Sequence, residues 1–313
     1  MFVRKVKAFA KNALKFFELK NVNRKCTGTL CVFQCKGGAP GLFSYLISVL
    51  GFVRWAHKHN KRPVIDLQSF KNTYLAEEAV GQLNAWDYYF DQPVHITYEN
   101  AVESPDCQFF DTTKEDCQGK IKSPWWDWEV YDQRSVTCRM WRAYTRRYIR
   151  LSESAMKRVN DTWNSLFQKD DRVLGIQCRG TDYTAHKPKA HPVQPSPEMV
   201  MEKAEQLIKT KGYNKIFLAT EDGILFRKFK QRFGDMIVSS DKEHVDYDGK
   251  AWINNILPGS EQEKLEHGMA YLVSMMMLTR CNAFIAGRTS GSLGVMCLSE
   301  GFEYTYIWDM GVY

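Results

Sequence analysis

The chain has 313 residues, 44% of them hydrophobic, a mean hydropathy of -0.42 and a formal net charge of +7. That length exceeds one ordinary core and points to two α/β domains of roughly 150 residues each. The hydropathy excludes a multi-span membrane protein, since no apolar run reaches the roughly 18 residues needed to cross a bilayer. No signal-peptide pattern follows the N-terminus, so the expected location is cytoplasmic.

Residues 1–25 hold eight Lys or Arg (Arg4, Lys5, Lys7, Lys11, Lys15, Lys20, Arg24 and Lys25) against one acid, Glu18. This segment therefore carries +7, the net charge of the whole chain, and the remainder is neutral overall. Basic residues confined to one end argue against a nucleic-acid partner. Val6, Phe9, Ala10, Ala13, Phe16 and Phe17 recur at helical spacing opposite Lys7, Lys11 and Lys15. Residues 1–27 are thus expected to form a basic amphipathic helix. Such a helix suits peripheral contact with the inner face of an anionic membrane through residues 1–25, or packs on the body with its lysines in water.

Residues 28–168 read as a Rossmann-like domain on the acceptor side. A strand over Leu30 to Gln34, the turn Lys36-Gly37-Gly38-Ala39-Pro40-Gly41 and an apolar helix from Leu42 to Trp55 make a βα unit, and Pro63 to Asp66 supply the next parallel strand. Nine cysteines with no C-x-x-C pair give no zinc or redox motif, and Cys31 and Cys35 read as small buried hydrophobes. From Trp86 to Arg150 the chain is aromatic and rich in turn residues, including Trp125-Trp126-Asp127-Trp128. Those indoles serve either as packing or as an acceptor groove that stacks on sugar rings. Arg139 to Phe167 has helical periodicity, and Gln168 to Asp171 reads as a hinge.

Residues 169–313 read as a second Rossmann-like domain that binds a nucleotide sugar. The apolar strand Val173 to Ile176 ends on Gln177-Cys178-Arg179-Gly180-Thr181-Asp182. Ser196 and Pro197 start a helix that Gly212 stops. Strand Ile216 to Ala219 ends on Thr220-Glu221-Asp222, with Asp222 placed to cap the following helix, and Asp235 to Ser239 read as another strand. Ser260 and Glu263 have capping-box spacing before a methionine-rich helix through Ala270 to Leu278 that reads as core. Strand Ala283 to Ala286 ends on Gly287-Arg288-Thr289-Ser290-Gly291-Ser292, ahead of the apolar Val295 to Leu298.

Three strand ends thus open on one mouth, where ligands of open α/β sheets bind. Arg179 offers a guanidinium that forks onto two phosphate oxygens and keeps its charge at any working pH, with Asp182 placed to orient it. Free N–H groups and hydroxyls at the turn bearing Thr289, Ser290 and Ser292 make an anion site at a helix start. His191 and His186 lie on the loop leaving Asp182. No H-E-x-x-H, G-x-S-x-G or Walker A pattern occurs.

On these residues the second half resembles the fucosyltransferase superfamily of α1,2-, α1,6- and protein O-fucosyltransferases. Its first motif, a strand ending His-x-Arg-Arg/Gly-x-Asp, matches Gln177 to Asp182, followed by the pair His191-Pro192. Leu218 to Asp222 is similar to the second motif, and Leu278 to Asn282 with Ala286 to Ser292 to the third. Gly37 to Gly41 is similar to the glycine loop that approaches the diphosphate from the acceptor side. The likeness is good over 172–300 and loose over 28–70. It implies a GT-B fold, two Rossmann-like domains facing across a cleft, and inverting transfer of L-fucose from GDP-fucose to a glycan hydroxyl without a metal or other cofactor.

By the same resemblance Arg179 binds the β-phosphate and stabilises departing GDP, and Ser290 and Ser292, with Thr289, contact phosphate. Gly38 and Gly41 approach the diphosphate, while Glu221 and Asp222 reach the nucleotide. The general base is His191, His186, Asp182 or Asp91. Three positions depart from the pattern. Gln177 stands for the histidine that helps hold guanine, Ser274 for an aspartate that reads it, and Lys187 for the glutamate base of α1,6 enzymes. The alternatives are another GDP- or UDP-sugar donor, or a non-catalytic glycan-binding or assembly protein.

Overall fold

The computed structural model describes residues 2–37, 40–114, 119–180, 185–240, 244 and 259–313, without the side chains of residues 2–9. Helix α1 (Phe2–Asn21) leads into β1 (Leu30–Gln34), α2 (Leu42–Lys58), β2 (Arg62–Asp66), a short α3 (Tyr98–Val102) and β3 (Gln108–Asp111). These strands form a parallel sheet in the order β2-β1-β3. Helices α4 (Val136–Tyr148) and α5 (Glu153–Leu166) follow. The second sheet takes β4 (Val173–Gln177), β5 (Lys215–Ala219), β6 (Ile237–Val238), β7 (Ala283–Gly287) and β8 (Tyr304–Trp308). It is parallel throughout, in the order β6-β5-β4-β7-β8. Helices α6 (Pro197–Lys211), α7 (Gly223–Phe233), α8 (Glu261–Arg280) and α9 (Ser290–Leu298) connect these strands. Two parallel βα units meeting across a cleft make the expected GT-B arrangement.

Helix ends follow their local chemistry. Ser196 caps α6 through the Met199 N–H, and Gly212 ends it at φ 72°, a left-handed conformation that glycine adopts without steric cost. Ser260 and Glu263 close a capping box on α8. The expected helix over 139–167 is instead two, because the Ser152 hydroxyl accepts from the Ala155 N–H and starts α5 afresh. The strand expected over 235–239 shrinks to Ile237–Val238, since Gly234–Met236 form a 3-10 turn. Strands β3 and β8 carry no clear sequence signal. β3 is an edge strand whose first two residues face water.

The order β6-β5-β4-β7-β8 fixes where a ligand can enter. From β4 the chain winds to β5 and β6 on one side, then returns to β7 and winds to β8 on the other. The crevice therefore lies between the C-terminal ends of β4 and β7. In the smaller sheet the same reversal falls between β1 and β3, where Lys36 pairs with Asp111 at 3.1 Å.

One apolar core runs through both sheets' territory, from Phe33 and Phe43 through Trp86 and Trp141 to Met277, Phe284 and Leu293. The boundary expected at residues 168 and 169 lies in the loop between α5 and β4. Cys31 is buried in β1 as expected, while Cys35 just beyond it is half-buried. Trp86 and Trp141 are core residues, whereas Trp126 and Trp128 are exposed.

Candidate active site at the end of the central strand

On the β5 side of the reversal between β4 and β7, a crevice gathers Gln177, Arg179, Gly180, Thr220 and Glu221 from the ends of β4 and β5. Tyr271, Ser274 and Met275 of α8 form the opposite wall. Arg179 and Glu221 each keep about a fifth of their side chain in water, and the guanidinium stands 3.7 Å from the carboxylate. An anion entering the crevice meets a charge already aimed there. The acid expected beside Arg179 was Asp182, which lies outside the described residues, as does Gly38. Neighbouring Cys178 is buried, and that burial pushes its thiol up to about 12.

Two helix starts converge on Gln177 and Tyr271 in the wall of this crevice. Thr289 caps α9, its hydroxyl accepting from the Ser292 N–H at 3.0 Å while Ser292 Oγ accepts from the Thr289 N–H at 2.9 Å. The N–H groups of Ser290 and Gly291 belong to the first turn and have no acceptor within the helix. Gly41 opens α2 from the other half, where the Tyr74 hydroxyl accepts the Leu42 N–H at 2.6 Å. Ser44 donates to Ser290 at 3.2 Å, so the two first turns touch. Phe43 stands edge-on to Tyr271 with ring centres 5.5 Å apart, which ties the junction to α8. Both macrodipoles add positive potential where the turns meet.

Three expected ligand contacts are redirected by the structure. Ser292 has no exposed surface and spends its hydroxyl in the capping box, so it holds the turn rather than a phosphate. Ser292→Ala is expected to cost about 1 kcal/mol of stability with GDP affinity unchanged, as titration calorimetry beside thermal melts would report. Asp222 caps α7, its Oδ1 accepting from the Ile224 and Leu225 N–H groups at 2.8 and 3.0 Å. A side chain on Gly180 would meet Asp222 Oδ2 at 2.8 Å, so this glycine admits the cap beneath the Arg179 turn. Gln177 is buried, its Oε1 accepting from Thr289 Oγ1 at 3.3 Å and its Nε2 directed at the Met275 sulfur. It braces β4 against α9, and Gly291 leaves it room, because a Cβ there would lie 2.4 Å from Gln177 Nε2.

The proposed bases are dispersed. His191 and His186 are exposed on the loop between β4 and α6, where Lys187 takes a φ of 43°. The C-terminal segment straps that loop, with the Tyr313 N–H donating to the His191 carbonyl and the Val193 N–H to Gly311. Asp91 pairs with Arg150 at 3.8 Å on the segment that runs beside β2. Among the described residues no group of three or more His, Cys, Asp or Glu could hold a metal. The sequence does contain one Asp-x-Asp pair, Asp246 and Asp248, outside the described residues.

Sequence reasoning assigned α8 to the core and so missed Tyr271. The spacing of 271, 274 and 275 places all three on one helical face, which was the available signal.

No family model and no curated protein matches the chain. Among solved structures it is similar to the fucosyltransferase NodZ from Bradyrhizobium, with a TM-score of 0.54 and 14% identity over 87% of this chain and 94% of that one. The NodZ alpha-1,6-fucosyltransferase co-crystallized with GDP gives a TM-score of 0.51 and 16% identity, over 86% of this chain and 92% of that one. A crystal of the same enzyme soaked with GDP-fucose gives 0.51 and 16%, over 87% and 93%. At such identities what is shared is the architecture, and this chain has the fold of these fucosyltransferases along nearly its whole length.

Proposed function

We propose that the protein is an inverting glycosyltransferase that moves L-fucose from GDP-fucose to a hydroxyl of a glycan. The observation that carries this reading is that the first turn of α9, touched by that of α2 through Ser44 and Ser290, packs at Gly291 against Gln177 and Tyr271, which line the crevice with Arg179. A diphosphate bridging that junction would face one guanidinium and two helix starts, which is enough positive potential to hold two phosphates without a cation. In the displacement, the acceptor oxygen bonds to the sugar's anomeric carbon as the bond to the β-phosphate oxygen breaks. Charge then develops on the leaving diphosphate, where Arg179 counters it. The acceptor proton passes to a base within about 3 Å of the hydroxyl or one water away, for which His191, His186, Asp182 and Asp91 are the candidates. The acceptor is a glycan or lipid-linked oligosaccharide, as in a surface polysaccharide assembled at the inner face of a membrane.

Ser274 favours a second reading in the choice of base. It is buried in the crevice wall, and the family resemblance sets it roughly where some relatives carry a guanine-reading aspartate, which supports another GDP- or UDP-linked sugar as the alternative. Thermal melts against a nucleotide panel separate the two, since a donor at 100 times its dissociation constant adds about 2.7 kcal/mol. GDP and GDP-fucose are expected to give that shift and UDP none. EDTA is expected to leave transfer unchanged, and loss of activity on chelation would instead implicate Asp246 and Asp248. Failure to hydrolyse or transfer any nucleotide sugar would leave a glycan-binding protein.

A further inference from the structure

Helix α1 is mounted on the body by its charges and turns apolar residues outward. Lys15 is only 4% exposed, and its ammonium donates to Asp127 at 3.1 Å, Glu129 at 3.3 Å and Thr137 at 2.7 Å. Glu18 receives a two-pronged bond from Arg54 at 2.8 and 2.9 Å and a third from Lys58 at 3.0 Å. At the end of the helix His57 Nε2 donates to the Asn21 carbonyl at 3.1 Å, while its Nδ1 accepts from Tyr148 at 2.6 Å. A lysine so buried is tolerated only because each of its three protons has an acceptor.

The consequence is inverted amphipathicity. Ala10, Leu14 and Phe17 follow i, i+4, i+7 spacing and form one exposed stripe along the helix flank, where Leu14 and Phe17 border a groove with His57, Lys58 and Tyr144. Leu14 and Phe17 are each 67% exposed. Beside the stripe runs a groove of about 630 Å³ that includes Lys11, Arg54, Lys58, Lys122 and Trp126, the last 74% exposed. Lys20 and Lys25 flank the helix end. Exposed leucine, phenylalanine and tryptophan set among lysines match an anionic bilayer, whose headgroups take the ammonium groups while the rings enter the acyl boundary. Of the two expectations for this segment, the structure shows the packing on the body, though with Lys15 buried rather than in water, and it leaves Leu14 and Phe17 exposed.

We propose that the outward face of α1, centred on Leu14 and Phe17 with Trp126 beside it, docks the protein on an anionic phospholipid surface. This inference is independent of the donor chemistry. Sedimentation with vesicles of phosphatidylcholine alone, or with about one third phosphatidylglycerol, tests it at low salt. The protein is expected to sediment with the anionic vesicles only. Leu14→Ser/Phe17→Ser should lower that binding at least about 10-fold, from the apolar area lost. Lys20→Ser/Lys25→Ser should lower it less and remove part of its salt dependence. Neither variant should change the melting temperature or the shift given by GDP, which tells a lost membrane contact from a damaged fold or a wrong donor. Failure of the wild-type chain to bind anionic vesicles would overturn the proposal. So would a concentration-dependent dimer that Leu14→Ser/Phe17→Ser converts to monomer, which would assign the stripe to a second copy of the chain.

Discussion

Arg179→Ala is expected to lower transfer from GDP-fucose by about 10²- to 10³-fold, the usual loss when a fixed donor to developing charge is removed. The deficit should fall mainly on kcat, because the charge that Arg179 meets grows as the bond to the diphosphate breaks. The chain should still fold cooperatively, since at 3.7 Å the guanidinium and the Glu221 carboxylate make a loose pair. Arg179→Lys should recover only part of the rate, as an ammonium keeps the charge but not the fork. Initial rates with GDP-fucose, read beside thermal melts, check all of this. Wild-type turnover in Arg179→Ala would remove the guanidinium from the mechanism and leave the helix starts as the sole holders of phosphate.

Gly294→Val is expected to injure both stability and donor binding, because the glycine is the point where the halves press together. A Cβ at this position would stand 2.2 Å from Phe43 Cδ1, and Phe43 already leans edge-on against Tyr271. The larger residue must push Phe43 aside, and Phe43 precedes the serine that donates to Ser290. Overpacking of this kind costs about 1 to 3 kcal/mol. For a chain of this size that lowers the melting temperature by roughly 2 to 4 °C per kcal/mol. GDP affinity should fall as well, by about 10-fold if the displaced first turn of α2 removes 1.4 kcal/mol of contact. Phe43→Leu in the same chain should restore part of both losses, the coupling expected of residues in contact. Equal damage with and without Phe43→Leu would place the defect elsewhere.

Much of the second half was legible because its signals are local. Ser196, Gly212, Asp222, Ser260 and Glu263 each satisfy or end a helix through atoms a few residues away, and the structure uses each of them so. The strand ends at Gln177, Ala219 and Gly287 could be aligned for the same reason, as short apolar runs that stop on polar turns. Two kinds of misreading remain, one local and one not. Ser292 and Asp222 looked like ligand contacts, yet the side chain of one and an oxygen of the other are spent on backbone N–H groups within three residues. Tyr271 looked like core because its neighbours are methionines, and only the packing of α8 against the ends of β4 and β5 turns it toward the crevice. Strand β3 was unreadable because an edge strand with its first residues in water shows no buried run. The outward turn of Leu14 and Phe17 could not be foreseen, since burial of Lys15 depends on Asp127 and Thr137, more than a hundred residues away.

The unbroken interior reaching from Phe33 to Leu293 bears on how a donor of the proposed kind would get in and out. Hinged enzymes swing two lobes apart over a polar seam, but separation here would tear Phe43 from Gly294 and wet the aromatic junction beneath it. Admission is then expected at the open rim of the crevice while the lobes stay fused. Excising either lobe would expose a face built to stay dry, so the halves should behave as one inseparable piece rather than as modules to be exchanged.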